Sequence, residues 1–286
     1  MGTQHLWKDA VECSDLLGKL AVTALIDEAE LTPKPALVDK DSSGAHTDLN
    51  IEIMLCSARS LHETFVEIGR SAFMKNPSKI HRCEIAIIGQ KGEKVMLKAT
   101  GGTNTHKGAI WALGLLTAGA AMNKPGTSAA IIAKTAGEIA CYENTIDVEK
   151  LSNGLRVVRE YGVQGAKGEA QAGFPHVIDI GLPALYNARD LGISENFARL
   201  DTLITLIAYV VDTCLLHRGG MEALEIAKDG AKAVLAVGGT STKAGFNALR
   251  RLDDKLIILN ASPGGSADLL AATIFLDSLN NINELI

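Results

Sequence analysis

Along the chain, apolar positions recur every three or four residues far more often than every second one. Over residues 10–30, Leu16, Leu17, Leu20, Ala24 and Leu25 fall on one stripe, while Glu12, Asp15, Lys19 and Glu28 take the other side. That spacing predicts an amphipathic helix. The helix must stop near Leu31, because Thr32-Pro33-Lys34-Pro35 cannot continue it. A second long segment begins at Thr47-Asp48 and runs to Met74, with Leu55, Ala58, Leu61, Phe65 and Ile68 in helical register. The same periodicity predicts helices over 107–122, 127–142, 147–161, 194–211, 221–237, 242–252 and 266–279. Strand-like runs are few: 84–89 and 255–259 are short and β-branched, and 94–98 alternates. The strand–helix–strand rhythm of a parallel sheet is missing. The expected fold class is all-α, a single compact bundle of about ten helices forming one domain over residues 1–286, with glycine-rich loops.

Composition narrows this further. Apolar residues make up 47% and charged ones 21%, which excludes disorder. Aromatics are only 4%, so the core must be Ala, Leu, Ile and Val. The net charge is −5, with no basic stripe or aromatic platform, which argues against nucleic acid as a partner. An anionic ligand must then be held by local cations or bound metal. The longest apolar stretch, 109–122, contains Gly114 and Gly119 and falls short of the roughly twenty residues a bilayer span needs. Residues 1–9 lack the apolar centre of a signal peptide. Five scattered cysteines without a C-x-x-C pair read as reduced thiols. The expectation is a cytoplasmic protein with no membrane partner. Oligomeric state is left open, with a homodimer as one candidate.

The chemistry concentrates where helices are interrupted. In the loop over 32–50, Lys34 stands between two prolines and is followed by Asp39, Asp41, His46 and Asp48. This reads either as a phosphate-contacting lysine beside carboxylates able to hold Mg²⁺, or as a turn-rich connector with capping residues. Over 100–108, Gly101-Gly102 is followed by Thr103, Asn104, Thr105, His106 and Lys107 at the start of an apolar helix, a ready anion site or an ordinary capped start. Over 162–175, glycines surround Lys167 and Glu169; Glu169 is a candidate metal ligand or general base, or half of a surface charge pair. Over 212–220, Asp212 lies near the end of an apolar helix, followed by His217 and Arg218. Asp212 there needs a partner, and Arg218 can supply one or bind phosphate. Over 260–268, Ser262, Gly264, Gly265, Ser266 and Asp268 open the last helix, where Asp268 also suits a helix start. No Walker A sequence, dinucleotide fingerprint or tight zinc spacing is present.

Read in order, TPKPALVD, GAHTDL, GGTNTHKGAI, YGVQGAKGEAQAGFP, DTCLLHRGG and ASPGGSADLLA resemble the block series of the triphosphoribosyl-dephospho-coenzyme A synthases, collinear over 21–276. The resemblance implies that ATP and 3′-dephospho-CoA give 2′-(5″-triphosphoribosyl)-3′-dephospho-CoA and free adenine. The product then passes to a transferase acting on an acyl-carrier subunit. Ala36 and Cys214 resemble the branch serving malonate decarboxylase; the branch serving citrate lyase usually shows Gly and Asn there. Lys167 departs from the Arg of the family, keeping the charge but losing the bidentate fork.

Such a reaction needs a carboxylate near an oxocarbenium-like centre, a base for the attacking hydroxyl and an acid for the departing purine. The resemblance implies Lys34, Asn104, Thr105, His106, Lys107, Lys167, Arg218, Ser262, Gly264 and Gly265 as nucleotide-binding groups. Asp212, Glu169, Asp48 and His46 are the implied catalytic set, with Asp39, Asp48, Glu169 and Asp212 as Mg²⁺ ligands. Two other readings of the same residues are a Mg²⁺-dependent hydrolase of N-glycosidic or phosphate bonds and a non-catalytic nucleotide-binding accessory protein.

Overall fold

A computed structural model describes residues 7–143 and 153–280. All regular structure among them is helical. The helices are α1 (Ala10–Glu30), α2 (Ile51–Ser60), α3 (His62–Ala72), α4 (Lys79–Ala99), α5 (Lys107–Ala121), α6 (Ala129–Cys141), α7 (Asn153–Tyr161), α8 (Gly165–Gln171), a π-helix over His176–Gly181, α9 (Leu182–Asp190), α10 (Glu195–Tyr209), α11 (Thr213–Ala236), α12 (Lys243–Ile258) and α13 (Gly264–Asn280). The all-α expectation holds, and most helix positions match the periodicity.

Several expectations are corrected. The segment expected as one helix to Met74 is two, broken at Leu61, which is wholly buried with φ −87° and ψ −3° and serves as the C-cap of α2. Asn50, not Thr47 or Asp48, caps α2, its side chain accepting the Ile53 N–H at 2.9 Å. The strand-like runs 84–89 and 94–98 both lie inside α4, and 255–259 closes α12. The expected glycine-rich loop over 162–175 contains α8, and that over 212–220 is the first two turns of α11. Gly220 is a break inside α11, at φ 63° and ψ −159°. The beginning of the helix expected over 147–161 lies outside the described residues, as do residues 1–6.

The core is built around α5 and α13, whose residues are buried almost end to end, packed against α1. Small residues let the helices approach: a Cβ on Gly119 would stand 2.6 Å from the Ile132 carbonyl oxygen of α6. No single helix among the described residues is long and apolar enough to cross a membrane. The long helices hold the N-terminal ends of α5, α11 and α13 in fixed register, and the polar chemistry gathers there.

Candidate active site

Asp212 is the junction. It follows the turn after α10 and is the N-cap of α11, where its Oδ1 accepts the N–H of Cys214 at 2.8 Å and of Leu215 at 3.4 Å. The same carboxylate reaches across 53 and 54 residues to the first turn of α13, accepting from Gly265 N at 3.2 Å, Ser266 N at 2.7 Å and Ser266 Oγ at 2.9 Å. One buried charge, 1% exposed, thus closes two helix N-termini, where backbone N–H groups and the helix dipole both favour an anion. A side chain at position 265 would meet this carboxylate at 3.0 Å, which explains the glycine.

Asp268, in the next turn of α13, ties in α5. Its carboxyl accepts from the Ala109 N–H and stands so close over Gly108 that any Cβ there would collide with Oδ2. Burial pushes the Asp268 carboxyl well above the usual carboxylate range, and the charges of Glu28 and Asp212 push it further. Both effects favour the protonated form, the one that can donate a proton. Cys214, beside Gly264, is likewise held as a thiol by burial and by Asp212 and Asp268.

Behind Asp268, Lys34 and Glu28 form a buried ion pair, Nζ to Oε1 at 2.6 Å, and Nζ also donates to the Glu28 carbonyl at 2.7 Å. Lys34 thus balances a charge inside the wall of the site. His106, the N-cap of α5 and 3% exposed, bonds through Nδ1 to Ser57 Oγ at 2.7 Å, and Ser57 continues to Thr105 Oγ1 at 2.5 Å. Burial and the nearby Lys34 lower the His106 pKa to about 4. Its Nε2 is buried without a hydrogen-bond partner among the described residues.

On the outer side, His46 joins loop and helices. Arg218 donates from Nη2 to His46 Nδ1 at 3.1 Å, and Ser262 Oγ lies 3.0 Å from Nε2. Burial and then Arg218 bring the His46 pKa down to about 4, with Asp48 opposing them, so the ring is neutral. With Nδ1 accepting, Nε2 carries the hydrogen and donates to Ser262, which frees the serine hydroxyl hydrogen to point at a ligand. Asp48 is exposed, 3.9 Å from His46 Nδ1. Lys107 pairs with Glu93 of α4, and Asn104 Oδ1 accepts the Lys107 N–H at 3.3 Å.

Two expected residues are engaged by their own surroundings. Asp39 accepts from Lys34 N, Asp41 N and Ser42 N, each at 2.8 Å, and so folds its own loop. Glu169, on α8, spends both oxygens on His176, at 2.9 Å to the backbone N and 2.6 Å to Nδ1. Lys167 is exposed on the same helix. The oxygens of Asp39, Asp212 and Glu169 are thus taken by N–H and O–H groups, and among the described residues no three acidic, histidine or cysteine side chains are placed to hold a metal. As placed, Asp39, Asp48, Glu169 and Asp212 do not gather around one metal position.

Sequence reasoning passed over Glu28, Ser57 and His176, and gave Asp268 no chemical role. For Glu28 a signal existed: it continues the buried series Leu17, Ala21, Ala24 at helical spacing, on the apolar face of α1.

Residues 14–285 match the family described as ATP:dephospho-CoA triphosphoribosyl transferase. The chain belongs to that family. It is 48% identical over 269 residues to a probable 2-(5″-triphosphoribosyl)-3′-dephosphocoenzyme-A synthase of Pseudomonas fluorescens, covering 94% of this chain and 92% of the relative. It is 49% identical to the protein of the same name from Azotobacter vinelandii, over 91% of this chain and 90% of that one. A second Pseudomonas fluorescens relative of that name is 44% identical over 98% and 97% of the two chains. No solved structure matches. Membership of the family makes the chain an enzyme, a transferase.

Proposed function

We propose that the chain transfers the 5″-triphosphoribosyl group of ATP to the 2′-hydroxyl of 3′-dephospho-CoA and releases adenine. The observation that carries this reading is the placement of Asp268: a carboxyl set over Gly108 and the Ala109 N–H where three helix N-termini meet, and pushed by burial above the usual carboxylate range. Breaking the bond from ribose to purine needs a proton delivered to adenine, and a carboxyl raised above the usual range is suited to deliver it. The buried charges of Glu28 and Asp212 nearby suit the positive charge that develops on the ribose. The triphosphate does not react and is there to be held. Lys107, Arg218 and the hydroxyl of Ser262 are the groups offered to it, with Lys167 on the adjoining α8. Mg²⁺ belongs in this scheme to the substrate, as the counter-ion of ATP.

Ala36 and Cys214 support a role in making the prosthetic group of malonate decarboxylase. Ala36 is buried at φ 54°, a conformation glycine adopts without strain, and Cys214 packs against Gly264 in the site. The product would be handed to a transferase that loads the carrier subunit.

The test is adenine release from ATP, followed chromatographically with and without dephospho-CoA. The transferase reading expects adenine and the triphosphoribosyl product in equal amounts, and only when the acceptor is present. Adenine or phosphate released equally without acceptor would favour a hydrolase, and ATP binding without adenine would favour an accessory protein.

A further inference from the structure

His176 is held with unusual care for a residue that no motif singles out. Its backbone N–H and its ring Nδ1 are both clamped by the Glu169 carboxylate, at 2.9 and 2.6 Å. Phe174, two residues earlier, is fully buried at φ 56°, a left-handed conformation that costs a non-glycine residue about 1–2 kcal/mol. His176 itself opens the π-helix, a form that recurs at functional sites because it re-aims side chains. A carboxylate accepting from Nδ1–H fixes the tautomer and leaves the lone pair on Nε2. No described residue hydrogen-bonds that nitrogen, and the ring is 30% exposed.

Helix α8, which carries Glu169, borders the site. A Cβ on Gly165 would touch Thr213, the first residue of α11, at 3.3 Å, and the Ala166 carbonyl accepts from Trp111 Nε1 of α5 at 3.1 Å. The other end of the π-helix is seated on α13, where Gly181 meets Thr273.

We propose that His176, positioned by Glu169, is the base that accepts the 2′-hydroxyl proton of dephospho-CoA. The inference rests on the transferase reading above. In the step, the 2′ oxygen forms its bond to C1″ of the ATP ribose while the bond from C1″ to purine N9 breaks. The hydroxyl proton passes to His176 Nε2, and the electron pair leaves on adenine, which takes the proton of Asp268. Solvent then returns one proton from His176 to Asp268, and the enzyme is restored. Glu169 is a positioning residue here, not a metal ligand.

The experiment compares wild type with His176→Ala and His176→Gln, assaying adenine and product together, with and without added imidazole. His176→Ala should lose about 10²–10⁴-fold in kcat, the usual contribution of a general base. The KM for ATP should stay within threefold, and imidazole should restore at least tenfold of the loss. Should His176→Ala fail to fold, His176→Gln, which fills the same space but cannot take a proton, should show the same kcat loss with a wild-type melting temperature. Glu169→Gln should lower kcat with no change in KM. Wild-type kcat in a folded variant, or a loss in folded His176→Ala that imidazole leaves untouched, would overturn the assignment. The transferase reading fails separately, if wild type itself makes no acceptor-dependent product.

Discussion

Asp212 and Ser266 stand 54 residues apart in the chain, yet Asp212 Oδ2 accepts both the backbone N–H and the hydroxyl of Ser266, at 2.7 and 2.9 Å. The same side chain caps α11, so its loss uncaps two helices at once. Each lost cap costs about 1–2 kcal/mol. Asp212→Ala should therefore lower stability by about 2–4 kcal/mol, read as a lower urea midpoint with an unchanged slope. A variant as stable as wild type would show that the junction does not hold the site together. From sequence Asp212 looked like a turnover residue near a helix end; the structure makes it first a scaffold for the groups around it.

Gly108 and Gly101 separate close approach from backbone freedom. A methyl group at 108 collides with the Asp268 carboxylate, whereas nothing lies within 4 Å of one at 101, where only φ 67° resists. Gly108→Ala should lower kcat at least a hundredfold by displacing Asp268. Gly101→Ala should keep near-normal kinetics and lose only about 1–2 kcal/mol of stability. Steady-state assays on both decide it; equal behaviour would contradict the placement of Asp268.

How much of this was legible in the sequence follows the physics of each signal. The 3.6-residue period fixed the long amphipathic helices, and the bounds of α1 match residue for residue, although Glu28, expected on its polar side, is buried. It misread α4, because Ile85, Ile87 and Ile88 carry strand propensity that tertiary burial of one helix face overrides. The break at Leu61 is invisible in the pattern, since an apolar residue stays in register on both sides of it. Loop chemistry pointed to His46, Arg218, Ser262 and the start of α13. It could not distinguish a carboxylate whose oxygens are taken, such as Asp39 or Glu169, from a free one. Asp268 was in view but looked like a helix-start residue, because only its neighbours Glu28, Gly108 and Asp212, all remote in sequence, change its chemistry.

Lys107 is half-exposed and paired with Glu93 at the mouth of α5. If it contacts the triphosphate, Lys107→Ala should raise the KM for ATP about tenfold, or about 1.4 kcal/mol, with kcat within threefold. Glu93→Gln, which frees the lysine, should lower that KM slightly. Unchanged KM values in both would remove Lys107 from the binding site.

The pH dependence of stability reports on His106. Burial and Lys34 hold its pKa at about 4, below the ordinary 6.5. Between those values the unfolded chain binds a proton that the folded one refuses, so stability is full above about pH 6.5 and falls as pH drops towards 4. The shift corresponds to on the order of 3 kcal/mol, and His46 adds in the same direction. His106→Gln should flatten the curve of unfolding free energy against pH in that window. Parallel curves for variant and wild type would contradict a buried neutral His106.

The most direct test of the account is single-turnover product formation by Asp268→Asn at saturating ATP and dephospho-CoA. If a proton held where α5, α11 and α13 meet drives adenine out, the folded variant should bind both substrates and form product at least a hundredfold more slowly. Wild-type speed in that variant would place the chemistry elsewhere in the molecule.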